Sequence, residues 1–166
     1  MLKLPKDVAA DPRHDAVVAA LAANAQVLWE RGQVRVATVP FTTAMQQQLR
    51  YGLASRKVQQ GLESIGDALD REQKGLDALA KKASSGPQNP RISRVLLIAN
   101  DGSPRFLRDC DALLTRYAHR VVGCRLDVTG EALGAAVVGA PKVVRAILVM
   151  DKTVAAKVLL AMLPPG

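Results

Sequence analysis

The stretch that decides the fold runs from Arg94 to Pro104 and reads RVLLIANDGSP. Val95 to Ala99 is an unbroken apolar run, ended by Gly102, Ser103 and Pro104. Val95 and Ile98 are β-branched, and an apolar run without alternation suits a strand covered on both faces. Ser103 is a good N-cap, and Pro104 stands where a helix loses an N–H at no cost. Phe106, Leu107, Cys110, Leu113, Leu114 and Tyr117 then recur at helical spacing. The unit is a buried strand, a tight turn and an amphipathic helix. It appears again downstream, which makes the C-terminal half an α/β layer.

Working outward, Arg120 to Leu126 reads as a second strand, and Thr129 caps a short helix through Leu133 and Val137. Val144 to Met150 is a third apolar strand. Asp151 caps a last helix with Val154, Val158, Ala161 and Met162 inward, stopped by Pro164 and Pro165. Upstream, Ser84 to Ser93 (SSGPQNPRIS) holds turn formers and reads as a flexible loop. Before it, Leu62, Ile65 and Leu69 begin a helix whose pattern revives at Leu76, Leu79 and Ala83, weakened by Gly75. Val58 to Gln60 is a short extended piece. Thr42 or Thr43 caps a helix to about Lys57, with Met45, Leu49 and Leu53 inward. Gln33 to Val39 alternates as a strand. Asp15 to Trp29 fits a helix with Val18, Leu21, Ala22, Ala25 and Leu28 on one face, and residues 1 to 14 read as irregular. The expected fold is therefore α/β: a three-layer α/β/α sandwich with a small mixed sheet and a short N-terminal helix-strand extension. The extension covers 1–41 and the main domain 42–166.

Nearly half of the 166 residues are apolar and few are aromatic, so Leu, Val and Ala must fill the core. Cys110 and Cys124 lack metal-ligand spacing and fall on apolar faces, as small buried hydrophobes do. No charged-then-apolar leader opens the sequence, and Arg145, Asp151, Lys152 and Lys157 interrupt the apolar end. A soluble monomer in a reducing cytoplasm, with no membrane contact, is expected. The formal charge is +8. Residues 1–93 hold 13 basic and 9 acidic residues and residues 94–166 hold 10 and 6, so the excess is spread rather than gathered in a tail. A folded surface that meets a polyanion accounts for this, and so does solubility alone.

Four segments, LRYGLASRKVQQGLESIGDAL, VLLIANDGSP, VVGCRLDVTGEALGAAVVG and VRAILVMD, follow one another in a familiar order. Their succession resembles the kink-turn RNA-binding ribosomal protein superfamily, of L-seven-Ae/L-thirty-e-like fold. The shared features are Gly61 before the second helix of this region, a strand ending in Ala99-x-Asp101, and Leu133-Gly134 on the fourth helix. The likeness spans about residues 43–163. Residues 15–50 are similar to the tail of a YlxR-type module, whose glycine-arginine-glycine signature is absent. The resemblance implies non-catalytic binding of structured RNA in translation or ribosome biogenesis. It also implies that Arg56, Lys57, Gln60, Gly61 and Lys142 line one RNA-binding edge. One departure bears on specificity. Where the family carries Asn-Glu and a basic residue three positions on, this chain has Glu63, Ser64 and Asp67. Two carboxylates there repel a polyanion, so binding of a standard kink-turn is expected to be poor.

Other chemistries find less support in the residues. There is no G-x-G-x-x-G and no Walker sequence, and Asp109 and Asp111 diverge on their helix. His14 and His119 have no obvious partner, and Ser103 is a cap rather than a nucleophile. No catalysis, metal or cofactor is expected. Arg105 and Arg108 are either an added basic face or partners of Asp109 and Asp111. The alternative function is a protein-interaction module that kept the fold and lost RNA binding. On that reading Leu76 and Leu79 dock a partner; otherwise they pack on the N-terminal helix.

Overall fold

The computed structural model describes residues 3–82 and 91–164. Six strands form one mixed sheet, β1 (Gln26–Val27), β2 (Arg35–Val39), β3 (Val58–Gln60), β4 (Arg94–Ile98), β5 (Val121–Leu126) and β6 (Ala146–Val149). Seven helices are described, α1 (Lys6–Ala9), α2 (His14–Ala22), α3 (Thr43–Ala54), α4 (Leu62–Lys82), α5 (Pro104–Arg116), α6 (Gly130–Val138) and α7 (Lys152–Ala161). The strand order is β1-β2-β5-β4-β6-β3. β5 runs parallel to both β2 and β4, and β6 runs antiparallel to both β4 and β3.

β4 is central, and side chains alternate across a strand, so its residues divide between two cores. Val95 and Leu97 join one core with Ile147 and Val149 of β6, against α1, α2, α3, α6 and α7. Leu96 and Ile98 join the other with Leu148, against Ile65 and Leu69 of α4, Cys110 and Leu114 of α5, and Tyr117 at its C-cap. This is the expected three-layer α/β/α sandwich. Ser103 caps α5 through Phe106 N–H, Thr129 caps α6 through Ala132 N–H, and Asp151 caps α7 through Thr153 and Val154 N–H. Burial pushes both Cys110 and Cys124 up to about 12, with Asp109 adding to the effect at Cys110, so neither thiol is poised for chemistry.

Several local readings are corrected. Residues 6–9 form one helical turn, and Leu4 and Val8 are buried. The helix read from Asp15 to Trp29 ends at Ala22; Leu21 packs inward as expected, beside Ala20 and the buried Val17, while Val18 is exposed. Asn24, at φ 53°, turns the chain into β1 instead. β5 begins after Arg120, β6 spans only Ala146–Val149, and Val122 is half-buried. Of the loop 84–93, residues 84–90 lie outside the described residues, as does Ala83. Ile92 is buried, and its N–H donates to Lys3 C=O at 2.7 Å. Leu76 and Leu79 do not pack on the N-terminal helix, because α1 and α2 cover the opposite face of the sheet. The β2 of the 1–41 segment is hydrogen-bonded to β5, so that segment shares the sheet and core of the rest.

Asp111 has a role that the sequence did not suggest. It is buried, and its Oδ1 accepts from Gln33 N–H at 2.9 Å and Val34 N–H at 3.0 Å. The carboxylate thus pins the turn that feeds β2 onto α5, rather than pairing with Arg105 or Arg108. Asp111→Ala leaves both donors without their acceptor and is expected to destabilise by about 2 kcal/mol. Asp111→Asn, which keeps one acceptor oxygen, should recover most of that in urea unfolding. Equal losses from both variants would mean that charge, not the acceptor geometry, holds the turn.

Candidate nucleic-acid interface

The residues expected to form a site lie on or beside the edge strand β3, or on the segment after α6. α3 ends in a backbone lock: Lys57 N–H donates to Gly52 C=O at 2.7 Å and Arg56 N–H to Leu53 C=O at 3.3 Å. This paired closure requires a left-handed residue at the position after the cap, usually glycine. Here that residue is Arg56, at φ 59°. A non-glycine residue in this conformation costs on the order of 1 kcal/mol. Its side chain is exposed, with no carboxylate within ion-pair distance among the described residues.

Lys57 is engaged within the fold. It is half-buried, its Nζ lies 3.9 Å from Asp151 Oδ2, and it sits 5.3 Å from the centre of the Tyr51 ring. The α7 cap therefore shares this cation. Asp151 itself is held below the usual carboxylate range, first by the Val154 N–H, with Lys57 contributing against the opposing effect of burial. Tyr51, by contrast, is an exposed ring on α3.

β3 then crosses the edge of the sheet. Val58 pairs with Val149 and Gln60 with Ile147, so Lys57 and Gly61 occupy opposite ends of the strand. With the three residues of the strand between them, they stand about 13 Å apart. Gln60 is half-buried, with its Oε1 buried and unpartnered among the described residues. Gly61 adopts φ 82°, donates its N–H to Ala146 C=O at 3.2 Å, and accepts from Ile65 N–H to start α4. Open space surrounds its missing Cβ. Glu63, Ser64 and Asp67 follow on α4, all exposed.

The segment from Gly139 to Arg145 returns along α6. Gly139 ends α6 at φ 78°, and the Arg50 guanidinium lies 3.9 Å from where a Cβ on Gly139 would stand. Lys142 is exposed. Val144 N–H donates to Gly130 C=O at 2.9 Å, tying the segment down. Arg145, next to Ala146, lies 3.6 Å from Asp101, whose Oδ1 accepts from Gly130 N–H at 2.8 Å. Asn100, Asp101 and Ser103 of the strand-turn-helix unit are thus all engaged by the protein's own groups.

Gly61 therefore adjoins the chain where the 139–145 segment enters β6 at Ala146, and Arg56 and Lys57 stand at the other end of β3. The Arg50 guanidinium of α3 lies beside Gly139. Arg50, Tyr51 and Arg145 are further exposed residues of this region that the sequence did not single out. Only their types signalled them: Tyr51 is one of two tyrosines in a chain poor in aromatics. No helix among the described residues is long and apolar enough to cross a membrane. Comparison with family models finds no match, and comparison with curated proteins finds none either.

Proposed function

We propose that this protein is a non-catalytic binder of structured RNA, acting in translation or ribosome biogenesis in the cytoplasm. The observation that carries the reading is Arg56. A helix end that is cheapest with glycine instead holds a strained arginine whose charge is free in solvent. Strain kept at an exposed cation is what a phosphate contact would repay. Arg50 and Lys142 are exposed cations on the adjoining elements, and Tyr51 offers an exposed ring on which a base can stack. The free thiols of Cys110 and Cys124 suit a reducing compartment.

Crosslinking in cells followed by sequencing supplies the RNA, and fluorescence anisotropy across a salt series then measures its binding. Arg56→Gly should hold or raise the melting temperature while weakening RNA binding, because it relieves the strain and removes the cation. Combining it with Arg50→Ala and Lys142→Ala should flatten the salt slope by roughly 0.7–0.9 per contact. Lys3→Ala and Lys6→Ala together should change little. A generic kink-turn should bind poorly, since Glu63 and Asp67 present carboxylates beside Gly61. Unchanged binding by the triple variant, or an equal loss from Lys3 and Lys6, would remove the site from this edge. Recovery of no RNA above background would end the reading.

A further inference from the structure

α4 is longer than the sheet on which it lies. Its 21 residues span about 31 Å, whereas the five residues of β4 span about 17 Å. Its buried residues, Ile65, Ala68 and Leu69, are all in its first half. From Lys74 to Lys82 every residue is exposed. This overhang carries Leu76 and Leu79, 44% and 65% exposed, on one side of the helix. They form the wall of an open groove of about 1050 Å³ whose other residues include Arg91, Arg94, Arg120 and Lys152.

The charge in this groove is unbalanced. Glu72 is shared between Arg94, at 2.7 Å, and Arg120, at 3.1 Å. Burial raises its affinity for a proton, but the bonds from Arg94 and Arg120 outweigh this and hold it ionised below the usual range. One carboxylate thus serves two guanidiniums. Asp77 accepts from Gln73 instead, at 3.0 Å. Lys152 is exposed, with no acidic partner among the described residues. Arg120 is buried, and its Nε has no hydrogen-bond partner among the described residues.

We propose that the overhang of α4 docks an acidic amphipathic helix of a partner protein. Its apolar side chains cover Leu76 and Leu79, and its carboxylates meet Arg91, Arg94 and Lys152. Helix-in-groove recognition uses this combination of an apolar ridge and a charged rim. Aliphatic leucines give an RNA backbone nothing to hold, and flat bases stack on aromatic rings instead. A second copy of this chain would set one cationic groove against another across a two-fold axis. The groove also lies at the end of the sheet where β4 and β5 begin, away from Gly61 and the 139–145 segment.

The probe is a labelled peptide of about sixteen residues, with leucines along one helical face and glutamates elsewhere. We expect saturable binding by anisotropy that weakens with salt. Leu76→Ser with Leu79→Ser should lower affinity at least about tenfold, as should Lys152→Glu, with little change in melting temperature since these side chains are exposed. The same peptide with lysines for glutamates should not bind. Absence of saturable binding, or wild-type binding by the variants, overturns the proposal. A concentration-dependent mass that the serine variants abolish would replace it with self-association. If those variants instead lose the crosslinked RNA while the peptide fails to compete, the groove belongs to an RNA surface. The proposed RNA edge is probed by Arg50, Arg56 and Lys142, so failure of one reading is distinguishable from failure of the other.

Discussion

Leu97→Ala is expected to destabilise the protein by about 2–5 kcal/mol, which lowers Tm by roughly 2–4 °C for each kcal/mol in a chain of this size. Leu97 lies in β4, between β5 and β6, and is 1% exposed. It points into the core that α3, α6 and α7 close. Neighbours in a central strand collapse little around a deleted side chain, so the cavity persists and adds to the lost transfer energy. Chemical unfolding followed by circular dichroism measures the loss. Val18→Ala, on the exposed side of α2, is the matched control and should fall within about 0.5 kcal/mol of wild type. A Leu97→Ala loss no larger than that control would mean that β4 is not central.

Gly134→Ala is expected to cost about 3 kcal/mol, the upper part of the overpacking range. Helix propensity alone predicts the opposite sign, a gain of about 1 kcal/mol for alanine over glycine. The reversal comes from packing. A methyl group at Gly134 would overlap the Lys142 carbonyl, and Val144 N lies only 3.3 Å from the same point. Making room means lifting the 139–145 segment and stretching its Val144-to-Gly130 hydrogen bond. Backbone cannot swing aside as a flexible side-chain tip can. Gly75→Ala provides the contrast, because nothing lies within 4 Å of its missing Cβ. That substitution should stabilise by up to about 1 kcal/mol. Two glycine-to-alanine changes in helices of one protein should therefore move Tm in opposite directions. Stabilisation by both would show that the 139–145 segment is not seated on α6.

Short-range physics made much of the architecture legible in the chain. The unalternated run at Val95 to Ala99, the caps Thr42, Ser103, Thr129 and Asp151, and the apolar spacings of α3, α5 and α7 act within a few residues. Each therefore appeared close to where the structure has it. Gly61 and Lys142 were singled out through the order of motifs, and Gly61 does need its positive φ. Tertiary structure alone decided the strand order and the placement of β2 beside β5, because pairing across more than eighty residues leaves no periodic trace in either strand. It also decided that Asp111 holds the turn at Gln33 and Val34, that Lys57 stands against Asp151, and that Arg50 reaches Gly139. Such contacts join side chains whose sequence neighbours say nothing of each other. Local propensity chooses which segments become helix or strand. Only packing those segments against one another sets which charge remains free for a partner and which is spent inside the fold.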